Sequence, residues 1–238
     1  MRNYKGKSDY LSMQTRAIIL KKQNTNEYDQ LVTCYTEEFG KVTAIAKSVL
    51  KPSSIQAMHL DLFNLVEFEL VSGRGMPIIT GAQAEATHTN LKNNLYNLAT
   101  AYFFAETIDK LAFEYQKDEE LWDFLLALIG DLNDSVDNYS NFLKNKQLKF
   151  LNILGYAPNL KECVFCVNQV GLGASSDLIA YNTQARGSVC RECFLGGQEG
   201  IVVRNNDFLS ESVLGSIFES LAEKKIHSLN LLNFVLKS

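Results

Sequence analysis

The sequence lacks several of the features by which common classes of protein are recognised. It contains no run of 18 apolar residues, so it predicts no membrane-spanning helix. Its three histidines, His59, His88 and His227, lie far apart and form no His-Glu-x-x-His metal site. A Gly-x-x-x-x-Gly-Lys-Ser/Thr phosphate loop and a Gly-x-Ser-x-Gly nucleophile elbow are also missing. The chain therefore offers no recognisable catalytic motif.

An excess of positive charge is missing as well. The chain carries 23 basic and 27 acidic side chains, a net charge of −4, which argues against a strongly basic nucleic-acid binder. The charge is uneven, however. Residues 1–80 carry 10 basic and 8 acidic side chains, a net charge of +2, whereas residues 81–160 carry 6 and 11, a net charge of −5. If any part of the chain contacts phosphate, the first 80 residues are the best candidate.

Cysteine is scarce, but four of the five cysteines form two Cys-x-x-Cys pairs. Cys163 and Cys166 make the first pair and Cys190 and Cys193 the second, with 23 residues between them. Four thiolates suit one tetrahedral Zn²⁺, and a closed four-cysteine site indicates a structural ion rather than a catalytic one. The alternatives are disulfides or four buried thiols without a common role. Because no apolar signal segment precedes the chain, we expect a reducing cytosol, where disulfides are disfavoured.

Neither cysteine pair is followed by the glycine that often comes after the second cysteine of such a knuckle. Val167 and Phe194 stand at these positions, so both turns must form with residues that carry side chains. The fifth cysteine, Cys34, falls in a predicted strand and is interpreted as a small buried hydrophobic residue.

Short alternating segments dominate residues 14–86 and predict five β-strands joined by tight turns. In the longest of them Val66, Phe68 and Leu70 alternate with acidic residues, and Gly40 marks a turn that favours a positive φ. Five strands in about 75 residues are typical of a small closed barrel such as the OB-fold, which binds oligonucleotides. An SH3-like barrel would have much the same strand count, so the pattern alone leaves both open.

Helical periodicity replaces the strand pattern after residue 86. A helix is predicted from Thr89 or Asn90 to about Ala112, a second from the acidic residues 118–120 to Gly130, and a third over residues 138–154. Residues 207–221 and 228–236 predict two more amphipathic helices. The fold class is therefore α+β and multidomain. It comprises a disordered leader (1–13), a barrel (14–86), a helical domain (87–160), a four-cysteine zinc module (161–200) and C-terminal helices that pack on the helical domain (201–238).

Basic residues of the predicted barrel fall mostly at strand ends and turns, where a barrel's loops face a ligand. The candidate DNA contacts are Arg16, Lys21, Lys41, Lys47, Lys51 and Arg74. Tyr28, Tyr35 and Phe39 lie among them and are either stacking surfaces for bases or core residues. Scattered surface lysines without a common function are the alternative interpretation of the cations.

Nine different short motifs follow one another along the chain. Each motif alone is weak evidence for a protein family. They are QTRAIIL (14–20), EYDQLV (27–32), TEEFGK (36–41), AIAK (44–47), GRG (73–75), AQAEA (82–86), LGYAP (154–158), GSVCREC (187–193) and KKIHS (224–228). Their shared order and spacing over residues 14–236 are specific, and they resemble those of the RecO family of bacterial DNA-repair proteins.

The resemblance implies an N-terminal OB-fold, a central helical domain and a four-cysteine module that binds one structural Zn²⁺. It also implies a non-enzymatic recombination mediator of the cytoplasm, associated with the nucleoid during repair. Such proteins bind single- and double-stranded DNA, anneal complementary strands and dock the C-terminal tail of single-strand-binding protein. With RecR they help to load RecA onto DNA coated by that protein, so that RecA is an indirect partner and no membrane is involved.

One departure from the family concerns the segment after the third strand. The family often carries Ala-Lys-Gly-x-Arg-Arg there, whereas this chain carries Ala46-Lys47-Ser48-Val49-Leu50-Lys51 and thus fewer cations. We therefore expect weak, salt-sensitive DNA binding by the chain alone. A rival interpretation, favoured by the acidic composition, is a zinc-stabilised protein-interaction adaptor whose barrel binds peptides.

Overall fold

A computed structural model describes residues 12–72, 75–134, 136, 138–168, 170, 178–203 and 211–237. Residues 1–11 of the predicted leader lie outside this range, as does the candidate contact Arg74, while Ser12 and Met13 belong to the first strand. The chain divides into two compact units. One comprises Met1–Asn93 and Ala112–Asn133, and the other Asn94–Leu111 and Asp134–Ser238.

The first unit is built on five strands, which are β1 (Ser12–Asn24), β2 (Gln30–Thr36), β3 (Gly40–Ala46), β4 (Leu65–Val71) and β5 (Ile78–Ala86). They form a closed barrel in the order β1-β2-β3-β5-β4, and β1 also pairs with β4. The β3–β5 pair is parallel, whereas the other four pairs are antiparallel. This non-sequential order is that of a five-stranded Greek-key barrel, so the predicted OB-fold is confirmed.

The strand residues explain the barrel core. Val66, Phe68 and Leu70 of β4 are buried, while Glu67 and Glu69 between them are exposed, as the alternation predicts. A register shift between Ile19 and Lys21 interrupts β1. Such a bulge bends a strand, which lets β1 pair with β4 in its first half and with β2 in its second.

In the described part of the chain, three helices belong to the same unit as the barrel: α1 (Gln56–His59), α2 (Thr89–Asn93) and α4 (Glu119–Asn133). The side chain of Asn133 accepts hydrogen bonds from the backbone N–H groups of Asn90 and Leu91, which ties the end of α4 to the first turn of α2. Asp118 accepts a hydrogen bond from Leu121 N at 3.0 Å and caps α4, so the acidic segment starts a helix as predicted.

The first predicted helix is interrupted. The pattern indicated one helix from residue 89 or 90 to about 112, but the structure has α2 and then α3 (Leu95–Leu111). The reason is Asn94, whose side-chain oxygen accepts hydrogen bonds from Tyr96 N and Asn97 N and so caps a new helix. The single-helix prediction is therefore wrong at this position.

The second unit is helical and contains α3, α5 (Tyr139–Ile153), α7 (Glu211–Ala222) and α8 (Ser228–Lys237). Its core includes the buried rings of Phe103, Phe104, Phe150 and Phe218, whose neighbouring centroids lie 5.0–5.9 Å apart. Among the described residues, no helix combines the length and apolar character that crossing a bilayer requires.

A small sheet, which the sequence did not predict, completes the second unit. Its strands are β6 (Asn159–Cys163), β7 (Leu178–Asn182), β8 (Gly187–Cys190) and β9 (Ile201–Val202), in the order β6-β8-β7-β9. The short helix α6 (Arg191–Leu195) follows β8 directly. All four predicted metal ligands lie in or next to β6, β8 and α6, so this sheet positions the cysteine cluster.

Candidate metal centre and nucleic-acid interface

The four cysteines of the two Cys-x-x-Cys pairs form a single cluster. The sulfur atoms of Cys163, Cys166, Cys190 and Cys193 all lie within 4.8 Å of one another, and all four thiols are free. With Zn–S bonds of about 2.3 Å, a tetrahedral site places its sulfurs about 3.8 Å apart. The sulfurs of Cys166 and Cys190 are 3.6 Å apart, which fits this spacing and is far longer than a disulfide bond. The cluster could therefore hold one metal ion.

The first knuckle is a tight turn at the end of β6. Val167 N donates a hydrogen bond to Cys163 O at 2.9 Å and closes this turn, and Cys163 N donates to Asn168 O at 2.9 Å. Val167 adopts a φ of 63°, the left-handed conformation that a glycine would adopt without steric cost. The turn therefore forms despite the missing glycine, with a β-branched residue in a strained position.

The second knuckle joins β8 to α6. Cys190 caps the helix, since its sulfur accepts a hydrogen bond from Cys193 N at 3.5 Å, while Cys190 N donates to the sulfur of Cys163 at 3.4 Å. Gly187 lets β8 approach β6 closely, because a Cβ there would lie 2.4 Å from Val164 Cγ1 and 2.9 Å from Asn159 O. Backbone donors and a close strand pair thus bring the two knuckles together.

Thiol acidity shows why the cluster suits a cation. Burial alone would raise the pKa of Cys163, but backbone N–H donors from Cys190, Phe165 and Cys166 outweigh it and lower the pKa to about 6. The hydrogen bond to Cys190, together with burial and the neighbouring sulfurs, raises the pKa of Cys193 to about 12. Four adjacent thiols therefore resist joint ionisation, and a divalent cation removes this repulsion.

In the barrel, three connections converge near the end of β3. Leu50 N donates to Tyr28 O at 3.0 Å and Ser48 N donates to the Asp29 carboxylate at 2.7 Å, which joins the β1–β2 loop to the segment after β3. Ile45 N donates to Pro77 O at 2.9 Å, which brings the β4–β5 loop to the same strand. In OB-folds the β1–β2 and β4–β5 loops flank the surface that binds oligonucleotides.

Two of the predicted cations lie at this convergence. Lys47 and Lys51 are both exposed, and the Lys51 ammonium lies 5.2 Å from the centroid of the Tyr28 ring. Asp29 was not among the predicted site residues, although its carboxylate organises the loops. Hydrogen bonds from Ser48 N and the Asn26 side chain, with Lys47 and Lys51 nearby, lower the pKa of Asp29. The Asn-x-x-Asp spacing over residues 26–29 is the turn signal that could have identified it.

The other described cations have different surroundings. Arg16 donates through Nε to both oxygens of Glu85 and lies 3.5 Å from Glu37, so two carboxylates engage its guanidinium. Lys41 is only 8% exposed, because the chain after α3 covers the start of β3 and Tyr115 N donates to Lys41 O at 2.9 Å. Lys21 is exposed on β1, where it pairs with Thr33 of β2. The structure therefore brings Lys47 and Lys51 together but does not gather all six predicted contacts.

The chain is a multidomain protein that combines an OB-fold barrel with a helical unit carrying a four-cysteine cluster. Comparisons with known proteins identify its family. Residues 11–88 match the family model described as "Recombination protein O N terminal", and residues 92–215 match "Recombination protein O C terminal". The second match alone covers more than half of the chain. The protein therefore belongs to the RecO family.

Individual relatives agree with the family models. The chain is 28% identical over 181 residues to the DNA repair protein RecO of Thermoanaerobacter sp. strain X514, which covers 76% of this chain and 71% of that protein. It is 27% identical over 222 residues to the RecO of Dehalococcoides mccartyi strain 195, covering 90% and 84%. It is 28% identical over 218 residues to the RecO of Desulfitobacterium hafniense strain DCB-2, a match that covers 92% of this chain and 76% of that protein. The resemblance seen in the sequence motifs is thereby confirmed, and a role in recombinational repair follows.

Proposed function

We propose that the chain is a non-enzymatic DNA-binding recombination mediator. In this mechanism the OB-fold holds backbone phosphates and leaves the bases free, so that a bound strand can pair with a complementary one. No bond is broken in the proposed step, and positioning alone accelerates annealing. Two observations support the proposal. The chain belongs to the RecO family, and the exposed cations Lys47 and Lys51 lie beside loops of the kind that flank the binding surface in OB-folds.

The proposal ranks the six candidate contacts by their surroundings. Lys47 and Lys51 come first. Arg74, which lies outside the described residues, joins them on its position in the sequence between β4 and β5. Lys21, Arg16 and Lys41 come second. Arg16 would have to exchange its two carboxylate partners for phosphate, and Lys41 has little access to solvent.

Few exposed cations imply weak and salt-dependent binding. Each phosphate contact to a single strand contributes about −0.7 to the slope of log affinity against log salt, so about four contacts give a slope near −3. We propose that RecR supplies further affinity, that the pair loads RecA onto DNA coated by single-strand-binding protein, and that the C-terminal tail of that protein docks on this chain. These partners come from the family and not from any contact in the structure.

The proposed metal is one Zn²⁺ held by Cys163, Cys166, Cys190 and Cys193. A closed set of four thiolates leaves no position for a substrate, so the ion would act on folding alone. It would join β6 to the turn between β8 and α6, where the four sulfurs already lie within 4.8 Å of one another.

The test is fluorescence anisotropy of a labelled single strand titrated with the protein between about 20 and 200 mM salt. We expect binding at low salt that falls steeply, and we expect the Lys47→Glu/Lys51→Glu double variant to lose affinity for every DNA sequence. The matched control is Lys117→Glu/Lys161→Glu, which changes the net charge equally at exposed residues outside the six candidate contacts. Equal affinity of the first double variant and the wild type at low salt would contradict the site.

A strand-annealing assay then tests the mediator role. The wild type should accelerate pairing of complementary strands and the Lys47→Glu/Lys51→Glu variant should not. If the wild type binds no DNA at the lowest salt, the titration is repeated with RecR. Binding only in its presence would support a joint DNA site, and no binding in either case would favour the protein-interaction adaptor.

A further inference from the structure

Tyr28 is the one of three candidate stacking residues that the structure leaves exposed. Tyr35 is buried in the barrel and Phe39 packs against its core. Tyr28, by contrast, lies in the β1–β2 loop and is 48% exposed. An exposed aromatic ring beside an oligonucleotide-binding face is a surface on which a base can stack.

The backbone that carries this ring is fixed on both sides. Asn26 Oδ1 accepts hydrogen bonds from Tyr28 N at 2.8 Å and from Asp29 N at 2.7 Å, which forms a tight turn. Tyr28 O accepts from Leu50 N at 3.0 Å, and Asp29 accepts from Ser48 N at 2.7 Å. Because these bonds hold the loop in place, a base that stacks on the ring would order little additional backbone.

One cation lies over the Tyr28 ring, so a base would stack on the opposite face. The Lys51 ammonium lies 5.2 Å from the ring centroid, and exposed Lys47 belongs to the same segment after β3. A strand whose base stacked on Tyr28 would place its adjoining phosphates within reach of these two flexible side chains. Stacking and phosphate contact would then act on neighbouring atoms of one nucleotide.

We propose that Tyr28 is a base-stacking platform that makes the barrel select single-stranded over double-stranded DNA. The inference rests on the proposed DNA-binding function and specifies which form of DNA this face binds more tightly. In a duplex both faces of each internal base are covered by neighbouring bases, so the ring gains nothing, whereas a single strand can present an open face. The lysines, which contact phosphate, should serve both forms.

The test compares a labelled thymine single strand with a duplex of the same length, at one low salt concentration and in a salt series. We expect Tyr28→Leu to weaken single-strand binding about fivefold or more and duplex binding less than about twofold, since stacking acts on unpaired bases. Its salt slope should equal that of the wild type, because no cation is removed. Tyr28→Phe should retain single-strand affinity, because the ring remains.

Two controls separate stacking from other effects. Phe113→Leu removes another exposed ring of the same unit, 76% exposed, and should leave both affinities unchanged. Lys51→Met keeps the aliphatic stem and should reduce the single-strand salt slope by about 0.7 while weakening both forms. A strand that contains 2-aminopurine should change its fluorescence on binding to the wild type and to Tyr28→Phe, but less with Tyr28→Leu.

The outcomes distinguish this inference from the function beneath it. If the wild type binds DNA and Tyr28→Leu weakens both forms equally, or neither, the platform is wrong while the DNA-binding function stands. If the wild type binds neither form, alone or with RecR, the proposed function itself fails and the platform with it.

Discussion

The carboxylate of Glu106 accepts a hydrogen bond from the backbone N–H of Ser228 at 2.7 Å, across 122 positions of sequence. Its other oxygen accepts from His227 N at 3.0 Å and forms an ion pair with Lys110. Ser228 is the first residue of α8, so a side chain on α3 satisfies N–H groups at the start of another helix. A negative charge there also interacts favourably with the helix dipole.

Glu106→Gln should destabilise the protein. The amide retains one acceptor but directs an N–H₂ group at a backbone N–H, so a partly exposed hydrogen bond to a charged group is lost, at about 1–2 kcal/mol. Urea unfolding at neutral pH measures the loss. Glu223→Gln, which changes an exposed carboxylate just after α7, should be neutral. Equal midpoints for the two variants would show that Glu106 does not hold α8.

Stability should fall in acid through two carboxylates. Burial alone would raise the pKa of Asp61, but hydrogen bonds from Lys22 and Lys92 lower it to about 2. Burial is likewise outweighed at Glu106, where Lys110, Ser228 and His227 lower the pKa to about 2. Both pKa values lie below those of the unfolded chain, so the stabilisation is complete above about pH 4.5 and is lost as the pH falls towards 2.

The double variant Asp61→Asn/Glu106→Gln should therefore lose less stability than the wild type between pH 5 and pH 3. Urea unfolding midpoints across that pH range measure the difference. Protonation of the cysteines changes the stability of both proteins alike and therefore cancels in the comparison. Asp123→Asn/Glu223→Gln removes the same charge from exposed positions and should follow the wild-type profile. Parallel profiles for all three proteins would mean that neither carboxylate contributes to the acid dependence.

Gly40→Ala should be strongly destabilising. Gly40 has a φ of 67°, as the turn pattern predicted, and a Cβ there would lie 2.0 Å from Gln116 O. The backbone must move or the segment that covers β3 must detach, so we expect a loss of about 2 kcal/mol or more. Gly130→Ala, in α4 with open space around its Cβ position, should be neutral or stabilising by up to about 1 kcal/mol. Similar unfolding midpoints for the two variants would contradict the steric account.

The barrel was predictable because its signals are local. Alternation along β4 and the turn at Gly40 depend on neighbouring residues, and each is visible in a short window. The choice between an OB-fold and an SH3-like barrel depends on the parallel pairing of β3 with β5, in which Ile45 lies opposite Ile78. That contact joins residues far apart in sequence, and composition does not encode it.

The candidate sites show the same limit. Cysteine spacing predicted a cluster whose sulfurs the structure brings together, but β6–β9 have two to five residues each and carry too short a pattern to be recognised. Lys41 was predicted as an exposed turn residue, but the segment around Tyr115 covers it. That segment lies about 70 positions later, so a local pattern does not reveal it. Tyr28 and Tyr35 look alike in sequence, and only burial separates them.

Zinc should be bound in a one-to-one ratio and should support folding of the second unit. Cys166→Ser should reduce the zinc content measured by mass spectrometry, because a thiolate ligand is replaced by a neutral hydroxyl. Cys34→Ala changes a buried thiol of the barrel and should leave the zinc content unchanged. Removal of zinc by a chelator should alter the near-UV circular dichroism spectrum. Complete zinc release with an unchanged spectrum would contradict a structural role for the ion.

Val167→Gly should stabilise the zinc-bound protein. Val167 adopts a φ of 63° in the first knuckle, and a non-glycine residue in such a conformation costs about 1–3 kcal/mol. The residue is 69% exposed, so little burial is lost. The greater freedom of glycine in the unfolded chain offsets about 1 kcal/mol of the gain. We therefore expect a net gain of up to about 2 kcal/mol by urea unfolding in saturating zinc. Val202→Gly, at an exposed position in extended β9, relieves no strain and should destabilise the protein. A loss of stability in both variants would show that the Val167 turn carries no strain that glycine relieves.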